Sequence, residues 1–193
     1  MPPLPTRSSA ASPTPRQRPV RSRSASVAAA VLGMLLAMGG ARAGSLDWRH
    51  ADPQQLSDAG RGADAQRALD TLRSHLQALA ACLPEDRRLE VELLDLDLAG
   101  RLEPGSQGEE LRVLRGGADV PALVLRYALR DGGRTLAAGE ERLVDLDYLN
   151  RVPRPPPGTP LAYETRLLDD WFARRFVAAG FARAPSSAAC SAR

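Results

Sequence analysis

The stretch from Leu89 to Glu103, LEVELLDLDLAGRLE, constrains the fold more than any other part of the sequence, because it alternates apolar and acidic residues over the length of a central β-strand. The apolar positions are odd-numbered up to Leu93 and even-numbered from Leu94 onwards. A strand that keeps one face towards the core needs an extra residue at such a slip. The sequence therefore predicts a β-bulge at Leu93 or Leu94.

Asp95 and Asp97 follow this slip and lie two residues apart. Successive side chains of a strand point to opposite faces, so both aspartates are expected on one face, away from the leucines. Gly100 then permits a tight bend.

A pair of strands is predicted further along the chain. Between Val120 and Arg130 the odd-numbered positions are apolar, which places Arg126 and Arg130 on the opposite face. Asp131-Gly132-Gly133 is a hairpin signal, because these residues tolerate the positive φ angles of tight turns. Residues 134–143 form the returning strand, in which Gly139 indicates a bulge or a close contact.

Two amphipathic helices are predicted. Apolar residues spaced three and four apart fill one face of the segment from Ala63 to Leu83, with Asp64 as N-cap or first-turn acid and Pro84 as the stop. The second helix has Thr159 as its N-cap and ends at Gly180. Its aromatic residues at 171, 172 and 176 suit a core position, with an exposed binding patch as the alternative.

Together with a short extended segment at 45–48, these elements predict an α+β fold. Its antiparallel sheet has three to four strands, and both helices pack on one face of it. Residues 44–193 have the length of a single soluble domain. The last ten residues, 184–193, are expected to form a mobile tail.

The first 43 residues are expected to be a signal peptide rather than part of the fold. Arginines precede an apolar run of 14 residues from Val27 to Gly40, and Ala41-Arg42-Ala43 supplies small residues at a cleavage site. The run is shorter than a membrane span, and no second run of this length follows. We therefore expect cleavage near Ala43, release into the periplasm or the medium, and no membrane span in the mature protein.

Removal of residues 1–43 reverses the net charge. The whole chain has a formal charge of +3, but this segment holds six basic residues and no acidic ones, which leaves −3 for residues 44–193. The basic balance that would favour a nucleic-acid partner belongs to the part that is discarded, so nucleic acid is not an expected partner.

Both cysteines, Cys82 and Cys190, remain after cleavage. Exported chains meet an oxidising compartment, so a disulfide between them is predicted, with a buried Cys82 and a free Cys190 thiol as the alternative. Such a long closed loop would contribute about 4.7 kcal/mol at most.

Six aspartates are the best candidates for chemistry: Asp95, Asp97, Asp145, Asp147, Asp169 and Asp170. Carboxylates at these positions could hold a hard cation or act as acid and base. The alternative is that Asp95 and Asp97 form opposite-charge pairs with Arg126 and Arg130 across the sheet. The two histidines of the mature chain, His50 and His75, are too few for a three-histidine zinc site, and no nucleophile motif or phosphate-binding loop is present.

Several blocks of the mature chain resemble a family of exported bacterial proteins, domain of unknown function 3016. The blocks lie in the expected order over nearly all of the mature chain: Asp47-Trp48, Asp52-Pro53, Leu83-Pro84, residues 95–100 (DLDLAG), Arg112-Val113, Leu125-Arg126-Tyr127, Gly139, Leu143, Asp145, Tyr163-Glu164 and residues 168–171. The resemblance implies a secreted or periplasmic protein, and it transfers no active site.

The favoured interpretation is a non-catalytic periplasmic binding or interaction domain. Its proposed binding residues are Asp95, Asp97, Arg126 and Arg130, on the polar face of the sheet, and its partner is an envelope protein or a small ligand. No catalytic residue, metal ligand or cofactor is assigned. The alternative is a metal-assisted hydrolase that uses the same aspartates.

Overall fold

The computed structural model describes residues 43–156, 158–185 and 190. The expected signal peptide lies outside these residues except for Ala43, and the expected mobile tail lies outside them except for residues 184, 185 and 190. Among the described residues, no helix combines the length and the apolar composition needed to cross a bilayer.

The elements are those of an α+β protein, as predicted. In chain order they are β1 (Ser45–His50), a 3-10 turn (Pro53–Gln55), α1 (Ala63–Ala80), β2 (Arg87–Asp97), β3 (Arg101–Pro104), β4 (Glu110–Val113), β5 (Ala122–Asp131), β6 (Arg134–Val144), α2 (Ala162–Phe172) and a π-helical turn (Ala173–Val177).

The main sheet has four strands in the order β1-β2-β5-β6, and β3 and β4 form a separate two-stranded hairpin. The pairs β2·β5 and β5·β6 are antiparallel, as predicted, but β1 runs parallel to β2. The sheet is therefore mixed rather than antiparallel throughout. The cause is α1, which connects β1 to β2 and is long enough for the crossover that parallel neighbours require.

The bulge predicted in the Leu89–Glu103 stretch is present. The register of β2 against β5 shifts between Leu93 and Asp95, so that Leu94 faces no residue of β5. The extra residue keeps Leu93 and Leu96 on the same side of the sheet, and both are buried. Gly100, with φ of 74°, makes the bend that separates β2 from β3.

Helix α1 buries the predicted face and ends at Ala80, three residues before the expected limit. Asp64 is a first-turn acid rather than the N-cap, which is Gly62. The chain tightens after Ala80, because Leu83 N–H donates to the Ala80 carbonyl at 3.0 Å before Pro84 blocks continuation.

The predicted start of the second helix is wrong. Helix α2 begins at Ala162, and its N-cap is Leu161 in a left-handed conformation. The Thr159 hydroxyl donates to the Pro156 carbonyl at 2.9 Å instead of capping the helix. Gly180, with φ of 72°, lies just beyond the π-helical turn, where the predicted stop falls.

The core lies between one face of the sheet, termed here the inner face, and the two helices. The ring of Tyr127 from β5 makes edge contacts with Trp171 at 5.4 Å and with Phe176 at 5.7 Å between ring centroids. Trp171 and Phe172 are fully buried, which confirms their core position.

The predicted disulfide between Cys82 and Cys190 is present and joins positions 108 residues apart. Cys82 follows α1, and its carbonyl also accepts a hydrogen bond from Arg183 N–H at 3.0 Å. The guanidinium of Arg87 lies 5.6 Å from the centre of the Phe181 ring. These contacts hold the segment after α2 against the end of the sheet.

Candidate functional site

The second face of the main sheet, termed here the outer face, carries side chains of alternating charge. In register across the strands, Arg49 on β1 faces Glu92 on β2, Glu92 faces Arg126 on β5, and Arg126 faces Glu140 on β6. This row of opposite charges runs across all four strands, and Arg126 and Glu140 are exposed to solvent.

Glutamates pair with both arginines that the sequence predicts as binding residues. Arg126 donates to Glu92 Oε2 at 2.9 Å and to Glu140 Oε2 at 3.0 Å, and these bonds raise the pKa of its guanidinium. Arg130 Nε donates to Glu90 Oε1 at 2.7 Å. The alternative that these arginines pair with Asp95 and Asp97 is therefore wrong. Those aspartates lie farther along β2, opposite Val124 and Ala122 near the start of β5.

A shallow trough lies between the two groups of ion pairs. Its volume is about 440 Å³, its floor includes the small residues Ala128, Ala138 and Gly139, and Arg126 and Arg130 stand at its rim. The sequence allowed either a bulge or a close contact at Gly139, and the structure shows a close contact. A Cβ there would lie 3.2 Å from the Tyr127 hydroxyl. The bulge of β6 falls elsewhere, beside Leu136.

Asp95 holds the segment that follows the 3-10 turn. Its carboxylate accepts from Ser57 N–H and from the Ser57 hydroxyl, both at 2.8 Å, and from Leu96 N–H at 2.9 Å. Partial burial opposes ionisation, but the Ser57 and Leu96 bonds outweigh it and lower the pKa of Asp95. This predicted binding residue thus already accepts three hydrogen bonds from its own chain.

Asp97 has the opposite electrostatic environment. Burial raises the pKa of its carboxyl, and the nearby charges of Asp58 and Asp95 raise it further. Asp58 lies beside Asp97 in an isolated parallel bridge, where the chain resumes its pairing with β2. The two aspartates of the Asp-Leu-Asp triplet therefore differ in character although they share a face.

Arg112 on β4 joins the hairpin to the main sheet. Its guanidinium donates to both carboxylate oxygens of Asp58, at 2.9 and 3.1 Å, and to the Gly100 carbonyl at 3.0 Å. Burial alone would raise the pKa of Asp58, but the bonds from Arg112 and from Gly60 N–H lower it. About a quarter of each side chain is exposed, so the pair is largely shielded from water.

Glu164, in the first turn of α2, lies on the same junction. It is 2% exposed, and its Oε1 accepts from Ala99 N–H at 2.7 Å. Burial raises the pKa of this carboxyl, although backbone N–H groups and the charge of Arg112 work against the shift. We call Asp58, Ala99, Gly100, Arg112 and Glu164 the hairpin junction.

The other aspartates of the predicted carboxylate set lie elsewhere. Arg151 forms ion pairs with Asp145 at 2.9 Å and with Asp170 at 2.7 Å, while Asp169 lies 2.7 Å from His75 Nε2. The set is thus divided among separate places. In the part of the chain that the structure describes, no group of three or more His, Cys, Asp or Glu side chains is arranged to hold a metal ion.

A larger groove of about 850 Å³ borders the hairpin junction. Leu98, Leu102, Ala68 and Leu161 contribute apolar walls, and Arg112 lies at its edge. Leu98 follows β2, and the other residues come from β3, β4, α1 and the segment before α2, which meet only in the folded chain. No spacing within one segment could have predicted the groove.

The family assignment rests on a family model. The model described as "Protein of unknown function (DUF3016)" matches residues 44–174. The chain belongs to the DUF3016 family. A search of curated proteins and a search of solved structures each found no match.

The DUF3016 match covers the main sheet, the hairpin and all of α2, and it ends within the π-helical turn. Three of the blocks that carry the resemblance meet at the hairpin junction, since Ala99 and Gly100, Arg112, and Glu164 belong to different blocks. Sequence reasoning assigned no role to Arg112 or Glu164. Their presence in the resembling blocks was the signal that could have singled them out.

Proposed function

We propose that this DUF3016 protein is an exported, non-catalytic binding domain whose outer sheet face contacts another protein of the cell envelope. Export is inferred from the features of residues 1–43. The observation that carries the binding proposal is the trough with its floor of small residues between ion-paired arginines.

The shape of the trough favours a protein surface over a small ligand. Small-molecule sites are concave and enclose most of the surface of their ligand, whereas this trough is shallow and lies on a broad sheet face. Arg126 is 55% exposed and Arg130 is 42% exposed, so a partner can reach either guanidinium. Small residues on the floor let a partner backbone approach closely.

The charge pattern suits a partner with both signs of charge. Arg126 and Arg130 each already have a glutamate partner, so a binding carboxylate would share or replace that glutamate. Because exposed ion pairs are weak, this exchange costs little. Asp97 borders the same face and adds a carboxylate to it, whereas Asp95 accepts hydrogen bonds from Ser57 of its own chain.

The binding proposal can be tested by photocrosslinking in cells. A photoreactive amino acid at Ala138, on the trough floor, should give a specific protein adduct, and the same group at the exposed Arg73 of α1 should not. In an Arg126→Ser/Arg130→Ser background the adduct at position 138 should disappear. Identical adducts at both positions, or an adduct unchanged by the two substitutions, would overturn the proposal. If native mass spectrometry shows a small molecule bound to the protein, the partner of the outer face is a small ligand rather than a protein.

The export proposal has a separate measurement. The mass of the protein purified from the periplasm or the medium should correspond to a chain that begins near Gly44. Recovery of residues 1–43 on a cytoplasmic product would overturn it.

A further inference from the structure

The strand β6 is an edge of the main sheet. It pairs with β5 on one side, and it stands last in the strand order. Within the described part of the chain, the backbone hydrogen bonds outside helices and strands include none made by residues 134–144. An edge of this length presents a row of backbone groups that another strand can pair with.

The half of β6 that follows its bulge is regular. From Ala137 to Val144 each residue faces one residue of β5 without interruption. The side chains of Ala138, Glu140, Arg142 and Val144 lie on the outer face with those of Val124 and Arg126, while Glu141 and Leu143 point to the inner face. This regular segment can accept a second strand along its whole length.

Symmetry restricts how two copies of β6 can pair. Around a two-fold axis perpendicular to the sheet, one residue of an antiparallel pair faces its own copy, and residues at equal distance on either side face each other. With Glu140 on the axis, two glutamates meet. With Arg142 on the axis, two arginines meet. With Glu141 on the axis, each Glu140 faces the Arg142 of the other copy.

We propose that β6 joins two copies of this chain into a dimer, edge to edge and antiparallel, with Glu141 on the two-fold axis. This register forms two Glu140–Arg142 contacts across the interface. Among the described residues no hydrogen bond or ion pair holds Arg142, although its charge acts on Asp95 and Asp97, so its guanidinium is available for this contact. Opposite charges at facing positions of neighbouring strands stabilise their pairing.

Two other observations fit the same register. Val144 is an outer-face apolar residue that is 37% exposed, and it would face Ala138 of the other copy. The two Glu141 side chains would meet on the inner face, but Arg175 Nε already lies 2.7 Å from Glu141 Oε1 and neutralises that charge. Of the three registers compared, the charges on β6 therefore favour the one about Glu141.

The dimer would also complete the trough. The trough is bounded on one side by β6, whose Ala138 and Gly139 belong to the floor and whose Glu140 forms the margin. In the proposed register, Arg142 and Val144 of the second copy stand beside that margin. Dimerisation does not depend on whether the outer face binds an envelope protein, so the two proposals can fail separately.

A charge exchange tests the dimer. Sedimentation equilibrium of the mature protein should show a concentration-dependent dimer. Either Glu140→Arg or Arg142→Glu should weaken it by about tenfold or more, because like charges then meet twice. The double variant Glu140→Arg/Arg142→Glu restores opposite charges and should restore the dimer. Arg134→Glu, on β6 but outside the paired segment, is the matched control and should leave association unchanged.

The register has an independent test that does not rely on charge. Oxidation of the variant Ala138→Cys/Val144→Cys should give a covalent dimer, whereas Ala138→Cys/Arg142→Cys, which fits pairing about Glu140, should give little. A protein that stays monomeric at all concentrations would overturn the proposal. So would a double charge variant that stays as monomeric as either single variant while its circular dichroism and Tm show a folded chain, or a preference for the second cysteine pair.

Discussion

The outer face and the hairpin junction both contain arginine–carboxylate pairs, but they differ in what those pairs hold together. On the outer face, Arg126 and Arg130 connect strands that backbone hydrogen bonds and buried leucines already join. At the junction, Arg112 connects the hairpin to the main sheet and also binds the Gly100 carbonyl. An arginine–carboxylate pair can thus be exchanged for a contact with a partner on the outer face, whereas at the hairpin junction it holds the fold together.

Burial explains the difference in expected energy. Exposed ion pairs gain little, because water solvates the separated charges almost as well. A shielded pair that loses one partner leaves a charge without solvation, which costs much more. We therefore expect substitutions at the junction to change stability, and substitutions on the outer face to change binding.

The largest effect is expected for Arg112→Met. This change removes the bonds to Asp58 and to the Gly100 carbonyl and leaves the Asp58 carboxylate without its partner, so the free energy of unfolding should fall by about 2–3 kcal/mol. Arg130→Met on the outer face is the matched control, with an expected loss below about 1 kcal/mol. Urea denaturation measures both, and equal losses would contradict the distinction between the two regions.

The next effect concerns the pH dependence that Glu164 contributes. Because burial raises its pKa, the folded state holds this proton more tightly than the unfolded state does. Stability from this group is present at low pH and is lost as the pH rises through the raised pKa. The stability of the wild type relative to Glu164→Gln should therefore increase as the pH falls from neutral towards the ordinary value of 4.5, by up to about 1.4 kcal/mol per pH unit.

Glu141→Gln is the control for this measurement. The bonds from Arg175 and Tyr127 outweigh burial and lower the pKa of Glu141, so its stabilising contribution is present above the ordinary pKa and is lost as the pH falls. The stability of the wild type relative to this variant should change in the opposite direction. If both differences have the same slope, burial is not the cause at Glu164.

A smaller effect separates Asp95 from Asp97. Asp95→Asn weakens the bonds to Ser57 and should cost about 1 kcal/mol at neutral pH, a loss that shrinks as the pH falls through the lowered pKa of Asp95. Asp97→Asn removes repulsion from Asp58 and should stabilise the protein by roughly 0.5 kcal/mol. Thermal unfolding at neutral pH shows whether each variant is less or more stable than the wild type. Two losses of equal size would show that the aspartates are equivalent after all.

Sequence reasoning succeeded where a pattern is local and periodic. The slip at Leu93 and Leu94 predicted the bulge, the Gly132-Gly133 turn predicted the hairpin between β5 and β6, and the apolar spacing predicted α1. The parallel pairing of β1 could not be predicted, because six residues of mixed polarity carry no signal of direction.

Sequence reasoning failed where a contact joins distant segments. Threonine is a common N-cap residue, and Thr159 was therefore predicted as the cap, yet tertiary packing puts Leu161 at that position. Arg126 and Arg130 were placed correctly on the outer face, but their glutamate partners were not foreseen, because the register that brings Glu90 and Glu92 beside them is set between strands distant in sequence. Arg112 and Asp58 lie 54 residues apart, so nothing in either segment predicts their pair.

The smallest expected effect is the coupling between Arg130 and Glu90. Their side chains are 42% and 21% exposed, so a double-mutant cycle with Arg130→Met and Glu90→Gln should give a coupling of about 0.2–1 kcal/mol. Added salt should reduce it, because water and ions reach the pair. A coupling of about 2 kcal/mol or more that salt leaves unchanged would place this pair in the same class as Arg112 and Asp58. The arginines of the outer face would then be structural, and a partner could not displace their glutamates at low cost.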